Sequence, residues 1–478
     1  MIIEQLAIIK SDNFDMERSM ATLVSTNPSR NFEKIGQVDI SSEDEIIQAV
    51  TNARQAQPAW QNLGIQGRIP FFQKFCELAL TRKDDFSQMI SDEMGKKLSD
   101  AQGEVDEMIE SVYWLIGNAH EILKPIIVHE DSKGVVTQYR EPFGVVAGIT
   151  AWNYPASNFR ECAMQDLIAG NTVVLKHSEE TPMTGVIINE IMQEAQFPKG
   201  VYSQVYGAGE VGEILTSQDV DFISFIGSSA VGKSIYKKAA DKFINVRLEM
   251  GGSSAGIIFD NSNIDLVVES VIAERFSNTG QICSALKRLL IHSSVYDEYV
   301  EKLKTKIFQL KVGGPRDADS DITSLVAERQ VAPILRQINE SAAKSATVIC
   351  GGKRATNLDG AYIEPTLLID VTADMAVWDE EVFGPVLPVM KFEDENEAIR
   401  IANNTNYGLN GFVYSNDKDQ VTRVSKQLKC GAVETNGYSH GYRPSVPVGG
   451  YKLSGIGRTG GAPGLLTCTQ VKVITEKK

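Results

Sequence analysis

Residues 144–180 read GVVAGITAWNYPASNFRECAMQDLIAGNTVVLKHSEE. Two short β-prone runs stand in this stretch, at 145–149 and 172–175, and similar runs return at 201–206, 222–226 and 246–250. Helix-like segments lie between the runs; one of them, 181–196, opens on Thr181-Pro182, an N-cap followed by a first-turn proline. Short strands alternating with helices predict an α/β fold built on a doubly wound parallel sheet, whose ligands sit beyond the strand C-termini.

Outward from this sheet the pattern changes on both sides. The N-terminal quarter reads mostly as amphipathic helices, for instance 43–55 and 67–81, with apolar residues returning every three or four positions. A second α/β series starts at Ser254, with the run Ile257-Ile258-Phe259, a helix-like 266–276 and a strand-like 288–291. Two β-prone pieces, 134–139 and 469–475, belong to neither series and are placed to pair in a small extra sheet or at a subunit edge.

Composition bounds the function. With 478 residues, 42% of them apolar, the chain exceeds one compact core and should divide into two or three packed units. Sixty-two acidic against 47 basic residues give a net charge of -15, which disfavours nucleic acid and anionic membrane surfaces as partners. No apolar stretch approaches the ~18 residues of a membrane span. The N-terminal patches at Ile2-Ile3 and 6–9 lack a basic flank and a small-residue cleavage site, so a soluble, cytoplasmic protein is expected. Cys76, Cys162, Cys283, Cys350, Cys430 and Cys468 are scattered, and the five histidines show no metal-binding spacing. No metal site is expected.

Three motifs carry possible chemistry. The run 207–212, GAGEVG, fits the dinucleotide glycine pattern, but Asp219 and Asp221 come too early for the ribose-binding acid, and a plain turn explains it equally well. The run 252–256, GSSAG, has the form of a hydrolase nucleophile elbow, yet it leads straight into a β-run instead of a helix. The run 276–283, FSNTGQIC, ends a helix-like segment in a polar turn where backbone N-H groups can face a ligand around Cys283. A free thiol has a pKa of ~8.5, so a nucleophile there needs a local donor or base.

The company that Cys283 keeps resembles the aldehyde dehydrogenase superfamily over nearly the whole chain. Blocks match in order: Pro142-Phe143-Gly144-Val145 leading to Trp152-Asn153-Tyr154-Pro155, then Lys176-His177-Ser178-Glu179, Phe225-Ile226-Gly227-Ser228 and Leu248-Glu249-Met250-Gly251-Gly252. After the Cys283 block come Glu381-Val382-Phe383-Gly384-Pro385 and Gly449-Gly450-Tyr451-Lys452. The resemblance implies a cofactor-binding domain from 1–119 and 142–250, a catalytic domain over 251–465, and an oligomerisation element from 120–141 and 466–478. It also implies a homodimer or homotetramer. Carried onto these positions, it makes Cys283 the nucleophile, gives the Asn153 amide and the Cys283 N-H the oxyanion, and makes Glu249 the base that activates water. Cofactor contacts fall on Thr150, Trp152, Lys176, Glu179, Gly209, Ser228, Met250, Glu381 and Phe383. Glu179 accepts ribose hydroxyls and repels a ribose phosphate, so NAD is expected over NADP.

Within the family the chain is most similar to succinate-semialdehyde dehydrogenases, by Gly251-Gly252-Ser253, 278–288 and Asn436-Gly437-Tyr438. It departs from them at the substrate end. Where that branch places arginines, this chain has Glu161 and Ser277; Arg160 lies one step away, and Arg443 lies in a loop one residue longer than usual. Arg160 or Arg443 could take a carboxylate bidentately, whereas Glu161 permits a cationic aminoaldehyde. Ala151 and Thr459 also depart from the family, and the second leaves no partner assigned to relay a proton from Glu249. An acylating enzyme that passes the thioester to coenzyme A would not need Glu249. A retired, structural member would not need Cys283, Glu249 and Asn153 together.

Overall fold

A computed structural model describes residues 21–438 and 443–478. The apolar patches at Ile2-Ile3 and 6–9 lie outside the described residues.

The first sheet has six strands in the order Gly455–Ile456, Asn245–Glu249, Phe222–Ile226, Val145–Ile149, Thr172–Lys176, Tyr202–Val205. The five strands from 145 to 249 are mutually parallel, as their alternation with helices predicts. All residues of Val145–Ile149 and Thr172–Lys176 are buried, because helices cover both faces. Alternate side chains serve opposite faces: Val146 and Val173 pack with Phe72, Val105 and Ile188, while Val145, Ala147 and Val174 pack with Ile46, Leu215 and Ala239. Gly455–Ile456 closes the edge antiparallel, pairing Gly455 with Glu249, so a segment near the C-terminus is built into the first sheet.

The second sheet has seven strands, ordered Thr347–Cys350, Thr366–Ile369, Val386–Phe392, Leu286–His292, Ser254–Ile258, Asn410–Tyr414, Ala432–Thr435, with only the first antiparallel to its neighbour. The two stray pieces do pair. Thr469–Lys477 runs antiparallel along Gly134–Pro142, which also pairs with Ile126–Glu130. This small sheet leaves Ile126, Ile127, Val128, Val471 and Val473 exposed. Among the described residues no helix is long and apolar enough to cross a membrane.

Two local expectations need correction. The N-terminal region is helical from Glu43–Asn62 onward, opened by a Ser42/Glu45 capping box, but a hairpin of Thr22–Asn27 and Glu33–Asp39 precedes it. Only Ser25 and Asn27 of its strands are buried, so no apolar alternation marks it. Thr181 occupies the N-cap of Pro182–Glu194 without capping it. The carboxylate of Glu93 instead accepts from the Met183 and Thr184 N-H groups at 2.7 Å each, from 90 residues away in sequence.

Candidate active site

Val145–Ile149 has Thr172–Lys176 on one side and Phe222–Ile226 on the other, so the strand order reverses there. A cleft of about 1180 Å³ opens at the C-terminal ends of these strands and runs to the start of the second sheet. The residues expected to catalyse and to hold the cofactor all line it: Asn153, Glu249 and Cys283, together with Lys176, Glu179, Gly209 and Ser228. Thr150, Trp152, Met250, Glu381 and Phe383 line it as well.

Cys283 stands at the end of a turn that the chain holds in an uncommon backbone conformation. Asn278, Thr279 and Gly280 have φ of 48°, 57° and 74°, the left-handed region, which costs an Asn or Thr of order 1 kcal/mol or more. Neighbouring groups over-determine the turn. The Thr279 hydroxyl bonds Thr323 and accepts the Thr323 N-H at 3.0 Å, and the Gln281 side chain accepts the Val326 N-H at 3.0 Å. Gly280 tolerates no side chain, since a Cβ there would stand 2.4 Å from the Gly384 carbonyl. The Asn153 amide donates to the Gln281 carbonyl at 3.1 Å, and the Asn278 amide donates back to the Asn153 carbonyl at 3.3 Å. Asn153 and Cys283 are thereby fixed to one frame.

Glu249 ends the strand Asn245–Glu249, 7% exposed, with neither carboxylate oxygen hydrogen-bonded among the described residues. Desolvation raises its pKa well above the ordinary carboxylate range, Glu161 raises it further, and Arg247 and Arg458 oppose. Desolvation also pushes the Cys283 thiol up to about 11, against the nearby Lys287 ammonium. The nucleophile expected at Cys283 needs the thiolate, which a fall in pH removes. With an aldehyde we expect log kcat/KM, which does not include the later hydrolysis step, to climb with a slope of about one between roughly pH 6.5 and 8.5; a flat profile across that span would contradict this environment.

Two helices begin on the cleft. Gly209–Ser217 has no side-chain cap, and nothing stands within 4 Å of where a Gly209 Cβ would project. Ser228 caps Ser229–Lys242 through the Val231 N-H at 3.4 Å. Helix N-termini on a cleft suit a pyrophosphate, and the glycine run 207–212 is the turn that delivers the uncapped one. Asp221 is engaged by Arg54 and the Val145 N-H, far from a ribose role. Lys176 and Glu179 bond each other at 3.2 Å, with Arg329 3.6 Å from Glu179. Trp152 and Phe383 meet edge to face at 5.5 Å. These residues fit a dinucleotide.

The four substrate candidates do not converge. Glu161 lines the cleft, but Arg160 is buried behind it and bonds its carboxylate at 2.6 Å instead of facing the cavity. Ser277 is exposed and turns back to the Ala273 carbonyl at 2.7 Å. Arg443 is exposed, outside the lining, and reaches the Tyr438 hydroxyl at 3.2 Å. Sequence reading also passed over Lys287, whose only signal was two consecutive basic residues opening an apolar strand.

The model of the aldehyde dehydrogenase family matches residues 15–474. Succinate-semialdehyde dehydrogenase [NADP(+)] GabD of Escherichia coli (strain K12) is 35% identical, covering 98% of this chain and 97% of its own. Glutarate-semialdehyde dehydrogenase of Pseudomonas putida is 34% identical, covering 99% and 98%. The crystal structure of a Mycobacterium tuberculosis aldehyde dehydrogenase complexed with NAD+ superposes with a TM-score of 0.90 at 32% identity, over 95% of this chain and 94% of that one.

Proposed function

Because the chain belongs to the aldehyde dehydrogenase family, and so is an NAD(P)-dependent oxidoreductase, we propose that it oxidises a semialdehyde to the acid through a thioester on Cys283. The observation that carries this reading is the turn that fixes Cys283 and Asn153 together, in one cleft with a Glu249 carboxylate that no described residue hydrogen-bonds.

The Cys283 thiolate adds to the aldehyde carbon, and the resulting oxyanion takes hydrogen bonds from the Asn153 amide and the Cys283 N-H. Lys176, Glu179, Ser228, Glu381 and Phe383 would hold a dinucleotide, which would supply the hydride acceptor when bound. Thr150, Trp152, Gly209 and Met250 complete its walls. Loss of hydride from the tetrahedral adduct leaves a thioester on Cys283. Glu249 then takes a proton from the water that attacks the thioester, releasing acid and thiolate. A carboxylate without hydrogen bonds in a desolvated site is a stronger base than one in water, which suits this step.

The substrate follows from the relatives, both of which act on semialdehydes. Glu161 would repel a substrate carboxylate, but its pairing with Arg160 cancels most of that charge and lowers the case for a cationic aminoaldehyde. Neither Arg160, buried behind Glu161, nor Arg443, outside the lining, faces the cleft to take the distal carboxylate. NAD is preferred through Glu179, while Lys176 and Arg329 beside it leave room for NADP. In a panel read by NADH absorbance, succinate semialdehyde should exceed an aminoaldehyde in kcat/KM by roughly tenfold or more, with NAD ahead of NADP. Reversal of either order removes that part of the reading. The small exposed sheet at 126–142 and 469–477 suits assembly as a dimer or tetramer in the cytoplasm.

A further inference from the structure

Lys287 is buried, 1% exposed, at the point where Leu286–His292 departs from regular pairing. Ser254 pairs with Leu286 but Ala255 with Arg288, so Lys287 is the extra residue of a β-bulge. Bulges re-aim side chains. Here the bulge lets both basic residues point inward, Arg288 to the Ser253 carbonyl at 2.9 Å and Lys287 toward the nucleophile turn. The Lys287 ammonium has three donors and three acceptors: the Gly252 carbonyl at 2.8 Å, the Cys283 carbonyl at 3.1 Å and Oε1 of Glu381. It also lies 4.9 Å from the centre of the Phe383 ring. One cation therefore touches Cys283, Glu381 and Phe383.

The same Oε1 accepts the Gly252 N-H at 3.0 Å. Glu381 is thus held through one oxygen, and Oε2 lies where a Gly251 side chain would stand, 1.9 Å from an added Cβ. Any residue but glycine at 251 would displace the carboxylate.

We propose that Lys287 is a positioning residue that joins the Cys283 carbonyl to the Glu381 carboxylate, so that the nucleophile turn and the nicotinamide-ribose contact are set as one unit. This rests on the reading of Glu381 as a cofactor contact given above. The test uses the full-length enzyme without turnover: NAD Kd by tryptophan quenching, alkylation of Cys283 against pH followed by mass spectrometry, and thermal unfolding. Lys287→Met should weaken NAD roughly tenfold and raise the alkylation midpoint by about one pH unit, while Lys287→Arg keeps the midpoint near that of the parent. On a Glu381→Gln background, Lys287→Met should weaken NAD by less than about twofold more, because both act through one contact. Glu381→Gln alone, with Lys287 in place and its charge no longer offset, should lower the midpoint by about half a unit. A Lys287→Met enzyme that loses thermal stability but keeps both NAD Kd and midpoint overturns the proposal, as does an unmoved or raised midpoint in Glu381→Gln. If Glu381→Gln leaves NAD Kd unchanged, the cofactor reading of Glu381 fails and the proposal with it; if Glu381→Gln weakens NAD and Lys287→Met does not, the proposal alone fails.

Discussion

Replacing Cys283 by alanine should lower aldehyde oxidation by at least about a thousandfold, some 4 kcal/mol of barrier, while NAD still binds. In the proposed mechanism no other nucleophile of the cleft should substitute, because the Asn153 amide is fixed to the Cys283 turn through the Gln281 carbonyl. The fold should survive the change. Cys283 is a free thiol facing the cleft, and the turn is held by Thr279, Gln281 and Asn278, none of whose bonds uses the sulfur. Residual turnover above about a thousandth of the parent, with intact NAD quenching, would remove the nucleophile assignment.

How much of this arrangement could be read from sequence depends on the physical scale of each feature. Strands such as Phe222–Ile226 are legible because a strand buried on both faces must be apolar along its length, and that shows locally. The pairing of 134–142 with 469–477 was legible as one of two fates for a pair of orphaned β-prone runs, while its register and its third strand at 126–130 were not, since partners across the chain leave no mark on either run. The hairpin at 22–39 was invisible because its strands are half polar. Family blocks located the cleft residues well, but they carry no information where this chain departs from them. Arg160 shows the limit: one residue of helical register turns a guanidinium from the cavity into the protein interior, where Glu161 meets it. Lys287 shows another. Its orientation depends on a bulge, and a bulge is set by two strands together.

Glu249→Gln is expected to separate the two halves of the reaction. Glutamine fills the same volume without charge, and at Glu249 it would relieve a carboxylate that is desolvated and accepts no hydrogen bond from any described residue. Thermal stability should therefore hold, since a neutral amide of the same size replaces a carboxyl that burial already drives toward its neutral form. Thiol addition and hydride loss do not require this side chain. Mixing enzyme, NAD and aldehyde should then give a rapid burst of about one NADH per active site, followed by turnover slowed by roughly a hundredfold or more. Steady turnover within about threefold of the parent and no burst would mean that another group activates the water. Glu161 is the first to examine, because it lines the same cleft and its charge already bears on Glu249. The burst also separates this chemistry from thioester transfer to coenzyme A, in which a missing water-activating base should leave turnover with that acceptor untouched.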